Sequence, residues 1–470
     1  MAELKRTIGG GQLLLYGLGS MLGTGIYGLI GKAAGTMGGA VWMAFGVAMV
    51  AALLTGISYA SIASRYPRAG GAAYATQRAY RAPWLSYLVG LTVLCSGLAS
   101  IATQAKVVAE NVNTLLRLDL EVSVFSNPAE ILGIGIVFLL LISGVVYRGI
   151  TTSVWVNTAF TIVSALGLFF VIAIGLRFWG SADLFEVPAS SANPVGDITM
   201  GLLMQGSILT FFSFLGFEDM LNVAEEVERP ERNMPIGIIG AMLAASVIYM
   251  AVSVTAVSVV PWSELTAAPG PLMLVVERAA PWFPAVAFTF ITIAAVSNTA
   301  LVNYIMGSRL LYGMAQQGLV PAPFCSIHRR RRTPHVAIAV ILLIVIAMQF
   351  VGDIGQLASA TVLLLLVVFV VVNGALIVLK LREGNLPGCF NAPIFVPALG
   401  VLICLAMIVG RVTQADWHAP ALTVTLLTAI LVLYRITRGK KMAQAQPEGA
   451  ERRREARTKP ELGSAAKGEL

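Results

Sequence analysis

Apolar runs of about 20 residues recur along the whole chain, and they decide what it can fold into. Read as helices rising about 1.5 Å per residue, such runs are long enough to cross the hydrocarbon core of a bilayer. Twelve are found, at roughly 10–35, 38–64, 84–114, 130–147, 153–178, 201–226, 234–260, 284–317, 335–351, 356–380, 394–412 and 418–436. Barrel strands are excluded by length, since a membrane strand needs only about 10 alternating residues. Composition agrees: of 470 residues, 57% are hydrophobic and 12% charged, with a mean hydropathy of +0.81. A soluble domain lacks the interior to bury so much apolar surface. A disordered chain, a disulfide-stapled secreted scaffold and an ordinary soluble enzyme are therefore excluded. The first run lacks a small-residue cleavage pattern and carries internal Gly, Thr and Tyr, so it reads as a membrane helix and not as a signal peptide.

The formal net charge of +8 would, in a soluble protein, point to a polyanionic partner. Placement argues otherwise. With the N-terminus set in the cytoplasm and the spans alternating, 26 of the 32 Lys and Arg residues fall inside. These comprise Lys5, Arg6, Arg65, Arg68, Arg78, Arg81, Arg148, Arg229, Arg232, Arg309, the run Arg329–Arg332, Lys380, Arg382 and ten in the tail from Arg435 onward. Only Lys32, Arg117, Arg177, Arg278 and Arg411 fall outside, and Lys106 lies within the third span. This bias follows the positive-inside rule and supports an even span number, with both termini cytoplasmic in the cell (inner) membrane. The charge is a topology signal, and the expected partners are the lipid bilayer and a small molecule, not nucleic acid. The sequence does not read out an oligomeric state.

Cys95, Cys325, Cys389 and Cys404 show no disulfide or metal spacing, and His328, His335 and His418 fall in loops or at span ends. With no His/Cys/Asp cluster at membrane depth, no metal, cofactor or enzymatic activity is expected. A channel would want a ring or filter motif, and none is visible.

Two spans look interrupted. The first carries Gly17, Gly19, Gly23, Gly25 and Gly28 within twelve residues. Each glycine weakens a helix by about 1 kcal/mol relative to alanine. Close helix packing explains part of such a pattern. Local unwinding explains it too, because irregular backbone at membrane depth is tolerated where it lines a cavity. The N–H groups opening the next half-helix then face an anion. The sixth span places Gly216 directly before Phe217, Glu218 and Asp219, with Glu225 and Glu226 beyond. Glu225 and Glu226 are expected near the cytoplasmic surface. Glu218 is expected to be functional, since a carboxylate in an apolar stretch needs water, a partner or a proton. Interrupted spans one and six point to an inverted-repeat secondary transporter.

The motifs resemble the amino acid–polyamine–organocation (APC) permeases over about residues 8–440. Gly19 to Tyr27 looks like the family's first-helix motif, and Phe211 to Ile236 like its sixth-helix signature and following loop. Arg148-Gly149, Gly307 to Ala315 with Gly318 to Pro321, and Asn373 add to the match in order. The resemblance implies an all-α integral membrane protein of twelve helices, with a LeuT-type five-plus-five inverted repeat and two extra helices. The implied organisation is a cytoplasmic N-terminus (1–9), a transport core (10–380, repeats about 10–178 and 201–380), helices eleven and twelve (394–436) and a disordered, basic cytoplasmic tail (437–470). The implied function is secondary active transport of amino acids by alternating access, proton- or sodium-coupled or by exchange. The alternative is a polyamine or other organocation carrier of the same fold.

In the family, backbone N–H groups of the first break hold the substrate carboxylate, which maps to Gly23, Thr24 and Gly25. Carbonyls of both breaks hold the amine, which maps to Met21, Phe212 and Leu215. Phe212 also maps to the aromatic that closes over the substrate, and Glu218 to the acidic residue after the sixth-helix glycine, a gating or proton-coupling position. Some relatives carry a coupling Lys in span five; counting from Arg148-Gly149, that position is Ser164. In sodium-dependent transporters of the fold, span-eight hydroxyls bind the ion, and the matching positions are Ser297 and Asn298. Oxygen ligands suit a hard cation, while ordinary interhelical hydrogen bonding is the alternative role for these groups.

Overall fold

The computed structural model describes residues 6–120, 128–188, 197–268, 270–350, 354–412 and, in part, 421–435. The first broken span forms α1 (Gly10–Met21) and α2 (Thr24–Met37); then come α3 (Val41–Arg65), α4 (Gly71–Tyr80), α5 (Pro83–Leu120), α6 (Pro128–Arg148) and α7 (Ile150–Gly175). The second half holds α8 (Met200–Phe214), a 3-10 segment (Phe217–Glu226), α9 (Pro230–Val259), α10 (Trp262–Ala267), α11 (Pro271–Ala279) and α12 (Ala285–Gln316). It ends with α13 (His335–Gln349), α14 (Ile354–Glu383) and α15 (Phe395–Val412). Among the described residues the only strand-like pairing is one bridge between Ile8 and Val227.

Eight helical stretches among the described residues are long and apolar enough to cross a bilayer: Ile30–Arg65, Pro83–Asn113, Ile131–Arg148, Ile150–Phe178, Met200–Glu226, Pro230–Val259, Ala285–Gln316 and Val362–Glu383. Shorter apolar helices lie at His335–Gln349, Phe395–Gly410 and Thr423–Val432. The first expected span misses the length criterion because its break leaves helices of 12 and 14 residues. Residues 437–470, expected to be a disordered tail, lie outside the described residues.

Local chemistry sets the boundaries. Thr199 caps α8, its hydroxyl accepting from the Leu202 N–H at 3.2 Å, which satisfies one of the free donors of a first turn. Pro230 opens α9 where no intrahelical N–H is needed. Gly149, at φ +133°, separates α6 from α7 in a conformation closed to side chains. Three helices have no counterpart in the apolar runs: α4, and α10 and α11 between α9 and α12. They are short and partly polar, so a search for 20-residue stretches passes over them.

Helices approach closely through small residues. Along the α3–α9 seam, a Cβ on Gly56 would run into the Met242 sulfur. Where α5 packs along α12, Gly90 and Gly97 face Met314 and Met306 in the same way.

One charged pair is buried inside the bundle. Glu226 and Arg309, expected near the cytoplasmic surface, have side chains 1% and 0% exposed, with Nε to Oε1 at 3.2 Å. Mutual neutralisation lets two charges sit inside a helix bundle that would reject either alone. The N-terminal strap adds to this point: the Thr7 and Ile8 N–H groups donate to the Glu226 carbonyl at 2.9 and 3.0 Å, and Glu228 N–H donates to the Ile8 carbonyl at 3.0 Å. Glu225 is largely buried, its side chain 15% exposed, with Oε1 3.8 Å from the exposed Arg68.

Candidate functional site

The first break is two residues long. Leu22 (φ −74°, ψ 53°) still donates to the Leu18 carbonyl at 2.7 Å. Gly23 (φ −116°, ψ −147°) then turns the chain, its N–H donating to the Met21 carbonyl at 2.8 Å, and α2 begins at Thr24. The first N–H groups of α2 have no intrahelical acceptor, as at the start of any helix, and the helix dipole adds positive potential there. Glycine is needed at both flanks for lack of room. A Cβ on Gly23 would strike the Thr299 hydroxyl, and one on Gly25 would lie 2.6 Å from the Ser213 Cα.

The second break follows Phe214. Leu215 is extended (φ −64°, ψ 142°), and Gly216 takes φ +120°, a conformation closed to side chains. The Leu215 N–H donates to the Phe212 carbonyl at 3.2 Å, while the Gly216 N–H donates to Glu218 Oε2 at 2.8 Å. Glu218 and Asp219 occupy the first turn of the 3-10 segment, where a helix start favours anions. Asp219 is also tied to the first break, accepting from the Ser20 hydroxyl at 2.9 Å. Both carboxylates are buried, at 6% and 3% exposure. Behind the break, Phe217 packs against Phe369 and edge-on to Tyr59 at centroid distances of 5.3 and 5.5 Å.

A residue that the sequence reading passed over joins the two breaks. The Tyr249 hydroxyl, carried on α9, lies 2.5 Å from the Met21 carbonyl and 2.8 Å from the Ser213 carbonyl. A hydroxyl has one proton, so it donates to one carbonyl at a time while touching both ends. The Met21 carbonyl, expected to hold an amine, thus already accepts from Gly23 and Tyr249. By contrast, the Leu215 carbonyl accepts no backbone or side-chain hydrogen bond among the described residues.

The two breaks open onto one cavity enclosing about 460 Å³ of non-atom space, its open mouth included. Of the expected site residues, Met21, Gly23, Gly25, Phe212, Leu215 and Glu218 line it. Phe212 is half-buried and lines the space. Thr24 contributes its backbone at the start of α2. The rest of the lining comes from Ser96, Ser100 and Gln104 on α5, Thr299 and Asn303 on α12, and Leu365 on α14.

The three candidate cation residues do not line this cavity. Asn298 donates to the Thr161 hydroxyl at 2.8 Å, and Thr161 donates to the Leu15 carbonyl at 3.1 Å. Asn157 reaches the same carbonyl at 3.5 Å. These side chains surround the Cα of Gly19, and the amide oxygens of Asn157 and Asn298 are buried with no donor among the described residues. Ser164 sits one turn further along α7, bonded to the Phe160 carbonyl at 2.7 Å, while its own carbonyl accepts from Tyr27 at 2.8 Å. The α7 group bonded to Asn298 is therefore Thr161, one turn before the counted position, with Asn157 beside Gly19 a further turn back. Ser297 is buried beside Asn298. Among the described residues no group of three His, Cys, Asp or Glu side chains is placed to hold a metal ion.

A protein-family model described as amino acid permease matches residues 9–433. Among curated proteins, the chain is similar to a branched-chain amino acid permease of Bacillus subtilis, 26% identical over 87% of this chain and 88% of the relative. A methylthioribose transporter of the same organism is 25% identical over 92% and 94%. The vacuolar cationic amino acid transporter 4 of Arabidopsis thaliana is 28% identical over 80% of this chain and 64% of its own length.

Proposed function

This chain belongs to the amino acid permease family, and from that premise we propose that it is a secondary active transporter moving amino acids by alternating access. It is an integral, multi-pass membrane protein and not an enzyme. The proposal includes twelve crossings in the five-plus-five inverted arrangement, and cytoplasmic termini in the cell membrane.

The observation that carries the reading is the convergence of two broken helices on one cavity. Helix-start N–H groups at Thr24 and Gly25 suit a carboxylate, and the open Leu215 carbonyl with Glu218 suits an ammonium. A zwitterion is thereby matched at both ends with little need for buried side-chain charge. Phe212 is the closing aromatic. The buried Glu226–Arg309 pair and the Thr7–Ile8 strap form the inner seal, which opening toward the cytoplasm must break.

For coupling we propose either a proton on Glu218 or a monovalent cation held near Gly19 by the Asn157 and Asn298 amide oxygens. Oxygen-only donors suit a hard cation such as sodium. The organocation alternative draws support from Glu218 and Asp219 in the cavity wall, but it leaves the N–H groups of the first break without a role.

Proteoliposome uptake tests the reading. Labelled amino acids should accumulate under an imposed proton or sodium gradient, or exchange against internal substrate. Carboxyl-blocked analogues should not compete. Competition by blocked analogues or polyamines would favour the organocation carrier, and no movement of any amino acid under any gradient would refute transport.

A further inference from the structure

The part of the cavity wall formed by α5 and α12 has a chemistry of its own. Ser96 and Ser100 lie four residues apart on α5, and Thr299 and Asn303 four apart on α12. A spacing of four puts each pair on one helix face, and all four residues line the cavity. The two helices pack along each other. They are cross-linked by a long contact, Asn303 Nδ2 to the Ser100 hydroxyl at 3.4 Å, while the same amide nitrogen donates to the Thr299 carbonyl at 2.9 Å. Apolar side chains dominate both helices elsewhere, so this polar stripe lies where the helices meet the cavity. Glu218 and Asp219 border the same space, and neither forms an ion pair among the described residues. Leu365 and Phe212 supply the apolar surface.

We infer that this wall selects amino acids whose side chains donate hydrogen bonds, and that it disfavours aliphatic and acidic ones. The inference rests on the transport reading above and specifies its substrate class. Hydroxyl, amide and ammonium side chains find acceptors in the Ser96, Ser100 and Thr299 hydroxyls, the Asn303 side-chain amide oxygen and the two carboxylates. An aliphatic side chain of the same shape makes none of these bonds and strips water from the wall, leaving polar groups unpaired. An acidic side chain meets Glu218 and Asp219 without a compensating cation. Ser100 and Asn303 are the specificity-determining pair, because they face each other across the helix seam.

Isosteric ligands test this directly. Purified protein is titrated with threonine against valine, asparagine against leucine and asparagine against aspartate, reading thermal stabilisation, which a bound ligand produces by mass action. Threonine and asparagine should bind at least about tenfold more tightly than valine and leucine, the worth of one retained hydrogen bond. Aspartate should be weaker than asparagine. In Asn303→Leu, and more mildly in Ser100→Ala, the asparagine-to-leucine ratio should fall toward one. A ratio within one preparation is insensitive to how much of it is folded, and Ser100→Ala covers the case in which Asn303→Leu does not fold. Valine or leucine binding as well as its isostere, or ratios unmoved in the variants, overturns the inference and leaves amino acid transport standing. Silence toward every amino acid overturns both.

Discussion

The two breaks reach the same cavity by different chemistry. The first is built by subtraction: Gly23 and Gly25 leave room for Thr299 and Ser213 to press on the backbone. The second is built by addition: Gly216 at φ +120° is held by the Glu218 carboxylate on its own N–H, with Asp219 reaching back to Ser20. The difference matches what each end is proposed to bind. A bare helix start offers N–H groups to an anion. A helix end flanked by carboxylates offers acceptors to a cation. Tyr249 then touches both ends, its one proton shared between the Met21 and Ser213 carbonyls.

The largest expected effect comes from adding a methyl group to the second break. Gly216→Ala combines a left-handed conformation with a Cβ 2.9 Å from the Ser20 Cβ. It should lower stability by more than about 2 kcal/mol and abolish uptake, as read by thermal unfolding and transport. A fully active Gly216→Ala would mean that the break is not rigid. Next is Tyr249→Phe, which keeps the ring and removes the link. It should cost about 1 kcal/mol and reduce uptake more than it reduces stability; equal activity would show that the breaks move independently. The smallest stability effect belongs to Glu218→Gln. An amide oxygen can still accept from the Gly216 N–H, so unfolding should change by less than about 1 kcal/mol. If Glu218 carries the proton, uptake in this variant loses its pH dependence, and an unchanged profile assigns coupling elsewhere.

The breaks were legible because glycine clustering and a carboxylate pair are anomalies in an apolar helix. Their surroundings were not. Tyr249 is one aromatic residue in a long apolar segment, and nothing local marks where its hydroxyl ends. Ser96, Ser100 and Gln104 did carry a signal, three polar residues each four apart in span three, but single hydroxyls are common in membrane helices and easily pass as packing. Glu226 and Arg309 misled because each, taken alone, reads as a surface charge. Their burial depends on a partner 83 positions away, which no local pattern announces. The cation residues show the weakness of counting along a helix. A shift of one turn exchanges Ser164 for Thr161, and it is Thr161 that packs against Gly19 and Asn298.

The central claim is that substrate binds where the breaks face each other. Two alanine substitutions within α2 test it. Gly25→Ala places a methyl group against the Ser213 backbone, whereas a Cβ on Gly28, three residues on, meets nothing within 4 Å. Both carry the same loss of glycine from the same helix, so helix propensity cancels in the comparison. Equilibrium binding of a transported amino acid to the purified variants should be lost in Gly25→Ala and kept in Gly28→Ala. Binding retained in a folded Gly25→Ala would contradict the account.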